Sequence, residues 1–228
     1  MKTALVLAAA LGCSPVGLFA DTAVERLQES ARIMHEIMET PDKGIPQDLL
    51  SKAHCVVIVP SLKKAAFVVG GQFGKGFTIC REGAGMGWGA PAAVRVEGGS
   101  FGFQIGGSET DVVMLVMNEH GMHELDKDKF TLGGDASVAA GPVGRTATAN
   151  TDAYMSAEIL SWSRAKGLFA GISLSGATLR PDREGNKELY GERLGNREIL
   201  MTKRESPAAA RALIAELDRY SIRKEGGQ

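Results

Sequence analysis

The stretch Gly70-Gly71-Gln72-Phe73-Gly74-Lys75-Gly76-Phe77-Thr78-Ile79-Cys80 opens a segment, residues 70–107, that carries 13 glycines in 38 residues. The glycines follow no Gly-X-Y period, which excludes a collagen-like helix. They punctuate β-rich pieces instead: Ala65–Val69, Phe73–Cys80, Ala92–Glu97 and Phe101–Ile105. Val94 and Val96 alternate with Arg95 and Glu97, as a half-exposed strand does. Phe101, Phe103 and Ile105 alternate in the same way with Gly102 and Gln104. Gly70-Gly71-Gln72-Phe73-Gly74 resembles Gly98-Gly99-Ser100-Phe101-Gly102. The echo reads as two similar hairpin starts, since one echo does not make a repeat array.

Outward from this segment the pattern stays β-rich, then turns helical. Cys55-Val56-Val57-Ile58-Val59 is an unbroken apolar run, which predicts a strand buried on both faces. Val112–Met117 predicts another. Residues 157–165 and 168–179 read as a strand pair turning at Lys166-Gly167, with a bulge at Gly176 where the apolar parity switches. Asn118–Lys129 reads as a polar turn with a short helix, and Pro181–Asn196 as a polar loop anchored by Tyr190. Thr22–Thr40 predicts a helix, opened by a Thr22/Glu25 capping box and striped by Val24, Leu27, Ala31, Met34 and Met38. Pro46–Ala53 predicts a second, short helix, and Ser206-Pro207 opens a last one that runs to about Tyr220. The sum is α+β: a curled or barrel-like antiparallel sheet with Gly-rich hairpins, flanked by N-terminal and C-terminal helices.

Composition narrows the function classes. The 228 residues carry 26 Lys+Arg against 27 Asp+Glu, so a strongly basic nucleic-acid binder is not expected. Charged residues at 23% and hydrophobics at 44% are globular values, which argues against wholesale disorder. Lys2, the apolar run Ala4–Leu11 and the small residue Ala20 before Asp21 form the pattern of a secretory signal peptide over residues 1–20. Its removal takes away only Lys2, so residues 21–228, one domain, carry 25 − 27 = −2. Ala10-Leu11-Gly12-Cys13 resembles a bacterial lipobox, which makes lipidation of Cys13 the alternative processing route. Export permits a disulfide between Cys55 and Cys80. Their apolar strand-like settings favour two small buried thiols instead.

Motifs for chemistry are weak. Gly70–Lys75 has three residues between its glycines where a P-loop needs four, and Gly76 stands where Ser or Thr is required. Gly83–Gly89 contains GxG pieces but precedes a strand pattern, not a helix, so it is no dinucleotide fingerprint. Gly171-Ile172-Ser173-Leu174-Ser175 lacks the closing glycine of a nucleophile elbow. His120 and His123 share a helical face but have no third ligand at a typical spacing, so a solvated turn is the default. No enzymatic activity, metal or cofactor is expected. What remains is a set of cations beside Gly-rich or apolar segments, Lys63, Lys64, Lys75, Arg81, Arg145, Arg164 and Lys166, which composition alone reads as a solvated rim. Such cations on hairpin ends suit anionic headgroups, each adding about 1 kcal/mol near a charged surface.

Four longer motifs carry something more specific. Residues 63–76, from Lys63-Lys64-Ala65-Ala66-Phe67 to Gly74-Lys75-Gly76, resemble the opening motif of the SYLF domain family. Gly98-Gly99-Ser100-Phe101-Gly102-Phe103-Gln104-Ile105-Gly106 is similar to its second motif. Phe130-Thr131-Leu132-Gly133-Gly134-Asp135 and the run on to Gly144-Arg145 resemble its third, and Ser161-Trp162-Ser163-Arg164-Ala165-Lys166-Gly167-Leu168 onward its fourth. All four stand in family order over about residues 25–220. The resemblance implies a non-enzymatic lipid-binding module. Eukaryotic members bind phosphoinositides and some bind actin; bacterial relatives are exported. The expected partner is thus an anionic phospholipid or membrane surface at the periplasmic face of the envelope, with Lys63, Lys64, Lys75, Arg145, Arg164 and Lys166 supplying charge. Actin binding is not expected of an exported protein. Glu25, Glu29, Glu36 and Glu39 also make the first helix unlike a basic membrane-surface helix. The alternative is a structural envelope protein that self-associates or binds a protein partner.

Overall fold

The computed structural model describes residues 21–40, 44–82, 87–143, 156–165, 168–172 and 174–221, the side chains of 66–69 and 100–106 aside. The expected leader, its Cys13, and the cations Arg145 and Lys166 lie outside the described residues. No helix among them is long and apolar enough to cross a membrane.

Helix α1 (Ala23–Glu39) begins at the predicted capping box: Thr22 accepts from the Glu25 amide and Glu25 accepts from the Thr22 amide. Its buried stripe includes Leu27, Ala31, Met34 and Met38, with Ile33 and Ile37 added; Val24 turns outward. Helix α2 (Gln47–Lys52) follows. The β-rich pieces then merge into two strands of unusual length, β1 (Cys55–Cys80) and β2 (Ala92–Val116), paired antiparallel from Cys55↔Val116 to Thr78↔Ala92. The Gly-rich echo segments are not hairpin starts. They face each other across this ribbon, Gly70 opposite Ser100 and Gly71 opposite Gly99.

A straight strand of 26 residues would span about 85 Å at about 3.3 Å per residue. The Cα atoms of Cys55 and Cys80, at its two ends, are 4.0 Å apart. The ribbon is therefore folded back on itself. Register shifts fall between Val59 and Leu62 and between Ala66 and Val68. At the first, Pro60 cannot donate to the ladder. Ser61 there takes the left-handed conformation (φ 53°), and its amide donates to Asp111 at 3.0 Å. Glycine makes the crossing of the two halves possible. A Cβ on Gly76 would stand 1.9 Å from the Ile58 carbonyl oxygen, and one on Gly74 would stand 2.8 Å from Val59 Cγ1. Cys55 and Cys80 are joined by a disulfide, which corrects the expectation of two free thiols. Residues 25 apart along the chain become neighbours only when the ribbon closes.

The remaining elements build on β2. Helix α3 is Glu119–Glu124; the short strands β3 (Phe130–Thr131) and β4 (Val138–Ala140) follow. Strand β5 (Ile159–Ala165) pairs with residues 111–116 of β2 and, in parallel, with β4. Strand β6 (Leu168–Gly171) pairs with β5, and β7 (Thr178–Pro181) with β3 and with residues 94–97 of β2. The expected strand 168–179 is thus two strands with different partners. Gly176 (φ 86°) lies in the turn between them rather than in a bulge. The expected loop 181–196 contains helix α4 (Arg183–Tyr190), and helix α5 (Asn196–Leu200) follows. Helix α4 has little apolar face, so periodicity does not reveal it; the left-handed Gly191 ends it. Helix α6 (Arg211–Tyr220), entered through a 3-10 turn at Ala208–Ala210, closes the chain.

The two sheet faces bury two cores. One packs α1, α2 and α6 against Ile58, Phe77, Ile79, Leu115 and Trp162. The other gathers Val57, Val59, Val94, Val96, Met114, Phe130 and Leu179. Alternate residues of Cys55–Val59 enter alternate cores, which is why that run is apolar throughout. Each large side chain so buried contributes about 1.5–3 kcal/mol. Arg81 locks the closed end. It stacks on Trp88 at 4.3 Å and donates to the carbonyls of Ala53 (3.0 Å) and Ser221 (3.0 Å).

Candidate functional site

The four described cations expected to supply charge fall into two settings. Arg164 stands directly opposite Asp111 in the β2–β5 register, and its Nε and a terminal nitrogen contact that carboxylate at 2.7 and 2.6 Å. It also pairs with Glu36 and approaches Glu29 of α1 at 4.0 Å. Arg32 of α1 binds Glu29 and Glu36 from the other side. The network thus holds two guanidiniums against three carboxylates. Burial lowers the Arg164 guanidinium below its ordinary value, with nearby Arg32 acting in the same direction. Burial likewise pushes the Asp111 carboxyl up, against the pull of the Ser61 amide. Arg164 therefore fastens α1 to the sheet and carries no uncompensated charge. Lys75 is engaged but shares its partner: its ammonium lies 2.9 Å from Asp182, the residue before α4, which Arg26 also approaches at 3.9 Å.

Lys63 and Lys64 are different. They stand opposite Glu109 and Ser108, between the two register shifts of β1, and among the described residues neither forms an ion pair. Lys63 is exposed and Lys64 half-buried. Exposed apolar groups lie on the neighbouring backbone: Phe73 beyond the bend is 48% exposed, and Leu168, directly opposite Ala165 at the β5–β6 turn, is 64% exposed. Single exposed apolar residues are ordinary. Phe73 and Leu168 belong to the same sheet as the two lysines. Phe169 is buried under Arg164, 6.0 Å from its ring. Among the residues expected to supply charge, then, the fold leaves Lys63 and Lys64 available and engages Lys75 and Arg164 internally. His120 and His123 lie on α3; the His120 ring contacts Glu158 at 2.6 Å, and both side chains are exposed. Arg95 and Arg180, 85 residues apart in the sequence, are brought next to Lys75 only by the strand pairing.

Comparison with known proteins places the sequence in a family. A family model described as "Las17-binding protein actin regulator", Ysc84, matches residues 97–220. The chain belongs to the SYLF (Ysc84) family. It is similar to SH3 domain-containing YSC84-like protein 1 of Homo sapiens, 33% identical over 204 residues, covering 87% of this chain and 59% of that protein. The Xenopus laevis protein of the same name is 34% identical over 187 residues, covering 81% and 55%. Protein YSC84 of Saccharomyces cerevisiae is 34% identical over 180 residues, covering 78% and 38%. The chain spans about three fifths or less of the curated relatives it matches, whose names record an SH3 domain or YSC84 kinship.

Proposed function

We propose that this SYLF domain is a non-enzymatic module that binds anionic phospholipid at a membrane surface of the cell envelope. The observation that carries the reading is that Lys63 and Lys64, consecutive on the glycine-rich β1, form no ion pair among the described residues, while Phe73 and Leu168 stand exposed on the same sheet. Free ammonium groups and exposed apolar side chains on one sheet suit an interface that is charged at its surface and apolar beneath. The family resemblance supports the lipid class. The Cys55–Cys80 disulfide supports an oxidising compartment, in keeping with export. Sedimentation with vesicles of phosphatidylglycerol in phosphatidylcholine tests this. At about 1 kcal/mol per lysine, Lys63→Gln/Lys64→Gln is expected to lower partitioning roughly 30-fold. Equal partitioning onto neutral and anionic vesicles, or none at low salt, would overturn it. The second reading is protein partnership, favoured by the family description's reference to Las17 and actin regulation. Stoichiometric crosslinking to one protein without lipid would support that instead.

A further inference from the structure

Three cations stand in one row across three neighbouring strands. Lys75 of β1 is the direct partner of Arg95 of β2, and Arg95 is the direct partner of Arg180 of β7. Direct partners in an antiparallel pair stand about 5 Å apart at Cβ, and like charges so placed destabilise a sheet. The surrounding carboxylates do not balance the row. Glu97 is shared by two guanidiniums, 2.7 Å from Arg95 Nε and 3.5 Å from Arg180 Nε. Asp182 is shared too, by the Lys75 ammonium at 2.9 Å and by Arg26 of α1 at 3.9 Å. Lys75, Arg95, Arg180 and Arg26 against Glu97 and Asp182 is four cations against two carboxylates, an excess of two positive charges.

Arg95 and Arg180 of this network line a cleft of about 390 Å³ together with Asp128, Asp182, Arg183, Glu184 and Arg193, while Lys75 and Arg26 join the network through Asp182. The rim pairs, Arg183 with Asp128 and Arg193 with Glu184, cancel among themselves and are more than half exposed. They leave the interior excess untouched. Arg95 and Arg180 are each a little over one-third exposed, so their guanidiniums can be reached from the cleft. A planar guanidinium presents paired N–H donors that match two oxygens of one anion. A cation row that costs the sheet stability and opens into a cleft has a physical rationale if an anion completes it.

We propose that this cleft is a binding site for a dianion of the phosphate class, held chiefly by Arg95 and Arg180, with Lys75 adjoining through its contact with Asp182. The site is separate from Lys63 and Lys64, so it goes beyond the membrane reading and can stand if that reading falls. The ligand's chemistry is shared by a free phosphate and by a phosphomonoester headgroup, and the test separates the two.

The full chain is titrated with inorganic phosphate against chloride at matched ionic strength, followed by calorimetry and by the Arg Nε–Hε resonances. Saturable one-to-one binding is expected. Arg95→Gln/Arg180→Gln is expected to weaken it at least about tenfold while Tm in chloride stays level or rises, because the repulsion in the row is relieved. A merely structural pair of arginines would lower Tm instead. Glu97→Gln is expected to tighten binding by removing the competing carboxylate. Should the double variant not fold, Arg95→Lys and Arg180→Lys keep the charge and lose the fork, and each is expected to weaken binding severalfold. Lys63→Gln/Lys64→Gln should leave phosphate binding unchanged, which keeps this test apart from that of the membrane reading. Vesicles of phosphatidic acid in phosphatidylcholine give the second arm. A parallel loss of vesicle and phosphate binding in the double variant supports the site with a lipid headgroup in it; loss of phosphate binding alone supports it with a soluble ligand. No saturable effect of phosphate beyond chloride, or unchanged binding in the double variant, overturns the proposal.

Discussion

The two ends of the β1–β2 ribbon use glycine for opposite purposes. At the closed end, where β1 crosses itself, Gly74 and Gly76 are there because nothing larger fits: a Cβ would enter Val59 or the Ile58 carbonyl. At the bend, a Cβ on Gly71 or Gly99 would meet its nearest atom at 4.0 Å, and one on Gly107 at 3.9 Å. The closed end also holds the disulfide, Arg81 on Trp88, and both cores. The stretch around the bend holds Lys63 and Lys64, which form no ion pair among the described residues. A similar local composition therefore builds a packed crossing in one place and an open surface in another. What distinguishes them is how closely other backbone approaches.

Three experiments break or sharpen that contrast. The largest effect belongs to the closed end. Cys55→Ser/Cys80→Ser, or reduction of the native chain, is expected to remove about 3–4 kcal/mol of stability, read from the urea midpoint. An unchanged midpoint would mean that the crossing holds without its covalent tie. Next, Gly76→Ala is expected to cost about 3 kcal/mol, and Gly99→Ala to stay within about 0.5 kcal/mol, because only the first drives a methyl into a carbonyl. Equal costs would erase the distinction between the two ends. The smallest effect is one of pH. The hydrogen bond from Arg32 holds the Glu29 carboxyl below its ordinary 4.5. An acid so lowered stabilises the fold above its unfolded value and loses that contribution as pH falls through the folded value. Stability should therefore fall below about pH 4.5 as this bond within α1 is lost, and Glu29→Gln should flatten that part of the Tm profile.

Much of the fold was legible in the sequence, because periodicity and capping are local. The capping box of α1, the doubly buried Cys55–Val59 run and the helices at both ends stand where the pattern puts them. Three features were not legible. The strand pieces join across their glycines, since a glycine that permits a turn equally permits a close crossing. The Cys55–Cys80 bond depends on that crossing, and two residues at opposite ends of one strand give no local sign of meeting. Helix α4 is held by its neighbours rather than by an apolar stripe: Asn186 accepts from the Ala93 amide at 2.7 Å, and Tyr190 donates to the Pro91 carbonyl at 2.6 Å. For the site, residue type marked which cations lie beside glycines. It could not show that Arg164 would be enclosed by carboxylates of α1 and β2, or that Lys75 would join a row with Arg95 and Arg180.

The pairing of the ribbon also sets the order in which the chain can assemble. Thr78 and Ala92, next to its turn, are 14 residues apart, whereas Cys55 and Val116 are 61 apart. Loop-closure entropy grows with separation, so zipping starts at the turn and runs outward through the bend. Cys80 is ordered among the first residues and Cys55 among the last. The thiols can meet only after the whole ribbon has paired and doubled over, so oxidation seals a finished structure rather than guiding an unfinished one.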